Sequence, residues 1–114
     1  MYAQFITFQG PRSPELLAAA ERAGRERISP LIAAHPELRE GLLGGFRAMG
    51  PDGHEVFVTL ARSEHVLDIL QELVMTSELL PGEDAALLPG PDRIERYEVA
   101  DTMGPIGTAL RGDA

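Results

Sequence analysis

Four short, largely apolar stretches bounded by turn residues predict β-strands: residues 2–9, 42–49, 54–61 and 93–100. The first carries apolar side chains on both faces, whereas the last alternates apolar with charged residues. Two longer stretches instead repeat apolar residues at steps of three and four, which predicts amphipathic helices. The first of these follows Ser13 and the second follows Ser63. The pattern therefore predicts two helices and four strands.

Local signals place the ends of these elements. Ser13 and Ser63 are good helix N-caps, and Pro14 suits a first helical position. Pro30 cannot donate a backbone hydrogen bond, so we expect it to kink or end the first helix. The stretch 35–41 is predicted as a connection, and residues 81–82, Pro-Gly, as the end of the second helix. The turn sequence Gly-Pro-Asp-Gly at 50–53 predicts that residues 42–61 form a β-hairpin.

The elements follow one another as β-α-β-β-α-β, which is the ferredoxin-like arrangement of an α+β protein. Right-handed crossovers would place the first and third strands at the centre of a four-stranded antiparallel sheet and the fourth at an edge, with two helices on one face. Residues 1–100 are predicted to form a single domain, and the Gly-rich residues 101–114 a C-terminal tail.

The two halves resemble each other, since Phe-Ile-Thr-Phe at 5–8 returns as Phe-Val-Thr-Leu at 57–60. The repeat predicts that Phe5 and Phe57 share a face of the sheet. A four-residue hairpin turn would pair Met49 with His54, which sorts the remaining side chains. One face is then expected to hold the following residues: Ile6, Phe8, Arg47, Met49, His54, Val56, Val58 and Leu60. Because helices cover only one of two apolar faces, we expect a homodimer that packs sheet against sheet.

Composition excludes several classes of function. The formal net charge is −8, which argues against binding to nucleic acid or to an anionic membrane. The chain has no Cys, so disulfides and thiolate sites are excluded. No apolar run approaches the length of a membrane span, and the first residues lack the basic start of a secretion signal. A cytoplasmic protein is expected.

The chain resembles the dimeric α/β-barrel superfamily, and within it the antibiotic-biosynthesis-monooxygenase-like domains. The resemblance rests on the element order, the turn at 51–53 and the closing strand at 93–99. It implies two sheets that meet in an α/β barrel, and activities such as cofactor-free oxygenation of aromatic polyketides, haem degradation or polyketide cyclisation. The oxygenases and haem degraders characteristically use Asn and Trp, and this chain has neither. Their catalytic residues therefore cannot be carried over.

Three side chains are candidates for catalysis. His54 could act as a general base, with Arg47 stabilising an enolate or phenolate and Tyr97 donating a proton. Each has a simpler interpretation: His54 flanks the turn, Arg47 pairs with a Glu across an interface, and Tyr97 anchors the edge of the sheet. The three His residues are too scattered for a metal site, so no metal and no cofactor are expected.

Two functions remain open. The first is a small cofactor-independent enzyme that oxygenates, cyclises or isomerises a hydrophobic, aromatic or polyketide-like molecule held between sheet and helices. The second is a non-catalytic dimer that binds a small apolar ligand or assists a partner enzyme. The absence of Asn and Trp favours the second. The scarcity of charged candidate groups favours it too, because an apolar pocket needs only shape to bind.

Overall fold

The computed structural model describes residues 1–111, and its elements are as follows. The strands are β1 (Tyr2–Phe8), β2 (Leu42–Met49), β3 (Glu55–Ala61) and β4 (Arg93–Glu98). The helices are α1 (Pro14–Arg22), α2 (Ser29–Ala34), α3 (Pro36–Gly41), α4 (Glu64–Thr76) and α5 (Pro105–Arg111). A π-helical stretch, Ala23–Ile28, joins α1 to α2.

The strands form one antiparallel sheet in the order β2-β3-β1-β4. The predicted topology is confirmed: β1 and β3 are central, and β4 lies at an edge. With helices packed on the sheet, this is the ferredoxin-like fold.

Both predicted N-caps are confirmed. The Ser13 hydroxyl accepts a hydrogen bond from the backbone N–H of Leu16 at 3.2 Å, and the Ser63 hydroxyl accepts one from Val66 at 3.4 Å. Each hydroxyl satisfies a donor that has no partner inside the helix, so the same local chemistry starts α1 and α4.

The helical stretch after Ser13 is longer than the sequence predicts. It continues through Pro30 to Ala34, because a π-helical turn precedes the proline and shifts the hydrogen bonding. In that turn the N–H of Ser29 donates to the carbonyl of Gly24, five residues back. The predicted connection at 35–41 is also helical: Pro36 opens α3, and Leu38 in α3 is fully buried.

Helix α4 ends at Thr76, earlier than the Pro-Gly pair at 81–82 predicts. The hydroxyls of Thr76 and Ser77 donate to carbonyls of the last turns, at 2.8 Å and 2.7 Å, and Ser77 has extended backbone angles. In the segment predicted only as a tail, residues 105–111 form α5. Residues 112–114 lie outside the part of the chain that the structure describes.

The hairpin register differs from the prediction by one residue. Met49 pairs with Glu55, not with His54, because the turn takes five residues. Asp52 and Gly53 both adopt positive φ, 56° and 77°, and the N–H of Gly50 donates to the carbonyl of His54. A shift of one residue moves every side chain of a strand to the other face. The face predicted for the side chains of β3 is therefore wrong.

The predicted equivalence of Phe5 and Phe57 is wrong for a related reason. Phe5 lies opposite Val58, and Ile6 lies opposite Phe57, in the β1–β3 register. Residues that lie opposite one another in a ladder share a face. Phe5 and Phe57 therefore point to opposite faces, and the sequence repeat does not correspond to a structural repeat within the strands.

The register defines two faces, which we name here. The helix-side face carries Tyr2, Gln4, Ile6, Phe8, Leu42, Arg47, Met49, Glu55, Phe57, Thr59, Ala61, Ile94, Arg96 and Glu98. The open face carries Ala3, Phe5, Thr7, Phe46, Ala48, Val56, Val58, Leu60, Arg93, Glu95 and Tyr97.

The hydrophobic core covers only one end of the helix-side face. Ala61 is fully buried against Leu38 of α3 and Leu67 of α4, and Tyr2 packs at the margin of the same cluster. Among the described residues, this cluster contains no side chain of the open face. The opposite end of the helix-side face, near the hairpin turn, therefore lies outside the main core.

Candidate functional site

A row of four side chains crosses the helix-side face beyond the core. The register places Arg47, Phe57, Ile6 and Ile94 side by side on β2, β3, β1 and β4. Phe57 is 38% exposed and Ile94 is 43% exposed, although both lie on the face against which the helices pack. Met49, at 51% exposure, extends this surface next to Arg47. We call Arg47, Phe57, Ile6 and Ile94 the cross-strand row.

A buried carboxylate with two arginines borders the row on the side of the hairpin turn. Glu55 is 5% exposed; one of its oxygens accepts from Nε of Arg47 at 2.5 Å and the other from Nη2 of Arg12 at 3.0 Å. Arg12 also donates through Nε to the carbonyl of Gly53 at 2.8 Å and lies over the ring of Phe8 at 5.0 Å. Two cations around one carboxylate leave this cluster with a net positive charge.

A second polar network borders the row on the side of the core. Gln4, only 2% exposed, accepts from Nε of Arg96 at 2.8 Å. The other nitrogens of Arg96 donate to Asp68 at 2.5 Å and to Gln71 at 3.0 Å, both on α4. This network ties α4 to the sheet and satisfies an amide oxygen that would otherwise be buried without a partner.

His54 lies in the hairpin turn, with Nδ1 3.4 Å from the backbone nitrogen of Gly10, which donates to it. The imidazole also lies beside Gly50. A Cβ atom built on this glycine would lie 3.6 Å from the Cδ2 atom of the imidazole. Arg47 is bonded to Glu55, the residue after His54, so both candidates lie near the same end of the hairpin.

Tyr97 is on the open face of edge strand β4, whereas Arg47 is on the helix-side face of the other edge strand, β2. The Tyr97 hydroxyl donates to Glu95 at 2.9 Å, and its ring meets that of Phe5 edge to face, with centroids 5.7 Å apart. The hydrogen bond to the Glu95 carboxylate, together with its negative charge, raises the pKa of Tyr97 above its ordinary value. Phe5, Glu95 and Tyr97 line a shallow depression of 640 Å³.

Within one chain the structure thus brings His54 and Arg47 to the same end of the hairpin and keeps Tyr97 on the other face. Sequence reasoning missed Glu55, Arg12 and Phe57 as parts of one surface. A charged Glu55 at the start of an apolar strand was a usable signal, but the predicted register placed it on the face opposite Arg47.

The part of the chain that the structure describes contains no group of three His, Asp or Glu side chains placed to hold a metal ion. In residues 1–111, none of the helices is long and apolar enough to cross a membrane.

Comparison with known proteins supports the fold. No protein-family model matches the chain, and no curated protein matches it. Three chains of solved structures match. One is the crystal structure of a dimeric ferredoxin-like protein from an uncultured marine organism, with 14% sequence identity and a TM-score of 0.53 over 90% of each chain. By strand order and by this structural likeness, the chain has the ferredoxin-like fold.

Proposed function

We propose that the protein is a homodimer of the antibiotic-biosynthesis-monooxygenase-like kind that binds a hydrophobic, aromatic or polyketide-like small molecule. The open faces of two sheets would meet to form an α/β barrel, and each subunit would hold the ligand between its sheet and helices, on the cross-strand row. The proposal requires no cofactor and places the protein in the cytoplasm.

The dimer is supported by the composition of the open face. Phe46 is 56% exposed and Tyr97 is 54% exposed, and they flank a surface that also carries Phe5, Val56 and Leu60. Contiguous apolar surface of this kind marks interaction sites. The similar solved structure is described as dimeric, which agrees with a second copy as the partner.

The ligand site is supported by the cross-strand row, and this observation carries the proposal. Phe57, Ile6 and Ile94 give three adjacent apolar positions on the face against which the helices pack. The helices leave Phe57 and Ile94 more than one third exposed. An apolar surface with a few polar groups at its borders is the usual composition of a small-molecule site.

Catalysis by His54, Arg47 and Tyr97 is the second candidate, with the roles of base, anion stabiliser and proton donor. One observation favours it: the Tyr97 hydroxyl bonds to the Glu95 carboxylate beside the ring of Phe5, so an acid–base pair borders an apolar surface. The separation of Tyr97 from Arg47 within a chain favours binding without turnover as the first candidate.

Titration with a planar phenol such as 1-naphthol tests the binding function. Phe57→Ala removes the central aromatic contact, and we expect roughly tenfold weaker binding, which corresponds to about 1.4 kcal/mol. Leu79→Ala is the matched control, because Leu79 is 43% exposed but lies outside the sheet. Equal affinities for the wild type and Phe57→Ala would show that the row is not the site.

Turnover is tested separately with the same phenol under air and with an enolisable aromatic ketone. Under the second candidate, His54→Ala and Tyr97→Phe each lower the rate at least tenfold. Product that forms in both variants at the wild-type rate excludes these residues from catalysis. Binding without product in the wild type supports the non-catalytic function.

A further inference from the structure

We infer that the ligand of the cross-strand row carries an acidic group, a carboxylate or an ionised phenol, and that Arg47 binds it. This inference rests on the proposed binding function, which it makes more specific. It follows from the hydrogen-bonding state of the guanidinium groups on the helix-side face.

Arg47 is held in place, but only part of its hydrogen-bonding capacity is used. Its Nε donates to Glu55, and Nη2 has a 3.9 Å contact with the sulfur of Met49, which is a weak acceptor. Its side chain is 46% exposed, and among the described residues its guanidinium makes no other hydrogen bond. Because Glu55 is buried and fixed by Arg12 on its other oxygen, the Arg47 guanidinium is oriented before a ligand arrives.

The two neighbouring arginines are engaged differently. The side chain of Arg12 is 9% exposed, and it is held by Glu55, the carbonyl of Gly53 and the ring of Phe8. Arg96 uses all three of its nitrogens on Gln4, Asp68 and Gln71. On this face, among the described residues, Arg47 is therefore the guanidinium that presents donors to an incoming anion.

Charge balance points to the same chemistry. Glu55 neutralises one of its two arginines, so the cluster keeps one positive charge beside an apolar surface. A guanidinium matches the two oxygens of a carboxylate, and burial of the ligand against the row would strengthen the ion pair by excluding water.

The register also sets the size of the ligand. Arg47 and Phe57 are direct cross-strand neighbours, which places the acid about 4.8 Å from the first apolar position. From Phe57 across Ile6 to Ile94 are two further strand spacings, about 10 Å in all. An acid attached directly to a body of two or three fused rings fits this spacing.

The test compares two ligands of one shape, 2-naphthoate and 2-naphthamide, by calorimetric titration at pH 7. The wild type should bind the carboxylate at least tenfold more tightly than the neutral amide. Arg47→Gln should remove this preference, so that the carboxylate and the amide bind with about equal affinity. Arg39→Gln is the matched control, since Arg39 is exposed and lies in α3 before β2 begins, and it should keep the preference.

Arg47→Lys keeps the charge without the planar fork and should retain part of the preference, and added salt should weaken carboxylate binding only. Thermal melting of each variant verifies that it is folded. Equal affinity for both ligands in the wild type, or a preference that persists in Arg47→Gln, overturns the inference and leaves apolar binding intact. If neither ligand binds, the proposed function fails and the inference fails with it.

Discussion

The two faces of the sheet differ in which side chains they bury and which they expose. The helix-side face holds the buried polar residues Gln4, Glu55 and Thr59, at 2%, 5% and 8% exposure. The open face carries apolar and aromatic side chains, and Phe46 and Tyr97 are more than half exposed. In a sheet covered on one side, the apolar side chains ordinarily face the helices and the polar ones face water. Here three polar side chains are buried on the helix-side face, while large aromatic side chains remain exposed on the open face.

This difference fits two separate tasks. Buried polar groups cost free energy unless each is hydrogen-bonded, and a fold that needed only stability would use apolar residues there. Glu55 and Gln4 are paired with arginines, and the networks they form border the cross-strand row. The open face lacks such networks over most of its area and offers hydrophobic contact instead. The proposal accordingly places ligand recognition on the first face and association on the second.

The largest expected effect is a change in mass from a charge on the open face. Phe46→Glu would place two unpaired carboxylates in each dimer interface and weaken association on the order of a thousandfold or more. Light scattering at micromolar concentration should then give 12.3 kDa for the variant and twice that for the wild type.

Met75→Glu is the control for that change. Met75 is 75% exposed on α4, away from the sheet surface, so this variant should remain a dimer. A wild-type mass of one chain, or a dimer that survives Phe46→Glu, would remove the open face as the interface.

The same substitution on the two faces should have unequal effects on stability. Glu55→Gln removes the charge shared by Arg12 and Arg47, and we expect a loss of about 3 kcal/mol in the free energy of unfolding. Glu95→Gln removes a 35% exposed carboxylate from the open face and should cost less than about 1 kcal/mol. Urea denaturation measures both variants. Equal losses would contradict the difference between the faces.

The smallest expected effect is on the titration of Tyr97. Its pKa is raised by the hydrogen bond to Glu95, so the folded state keeps the phenol proton above the ordinary pKa of 10.0. The associated stability is complete below that value and is lost as the pH rises through the raised pKa. Glu95→Gln should shift the tyrosinate absorbance curve towards lower pH.

The Tyr97→Phe variant identifies which part of the absorbance curve belongs to Tyr97, because Tyr2 is the other tyrosine of the chain. If the absorbance curve of Glu95→Gln coincides with that of the wild type, the Glu95 carboxylate does not raise the pKa of Tyr97. Burial of Tyr97 in a dimer interface would raise its pKa further. The curve of the monomeric Phe46→Glu variant should then lie at lower pH than that of the dimer.

Much of the fold could be predicted because its signals are local. The caps at Ser13 and Ser63 and the Gly-Pro-Asp-Gly turn act within a few residues, and each appears in the structure. The sequence does not predict the short helix α3, because Pro36 and Gly41 also suit a connection, and the burial of Leu38 in the core is a tertiary contact.

The candidate site was less predictable because it depends on register. His54 and Arg47 were identified by residue type, and the structure places both near one end of the hairpin. Glu55 and Phe57 were missed as neighbours of Arg47, since a turn one residue longer than expected moved them onto its face. The residues at 5–8 and 57–60 put apolar side chains on both faces of their strands. The hydrophobic pattern alone therefore does not distinguish the predicted register from the observed one.

The sequence by itself determined the element types, their order and the antiparallel sheet with β1 and β3 at its centre, because hydrophobic period, caps and turn residues are properties of short segments. Only the tertiary structure decided which side chains share a face. The positive φ values of Asp52 and Gly53 fix the length of the turn, and the turn fixes the register. That register brings Arg47 beside Phe57 and Glu55, and it leaves Phe46 and Tyr97 on the open face.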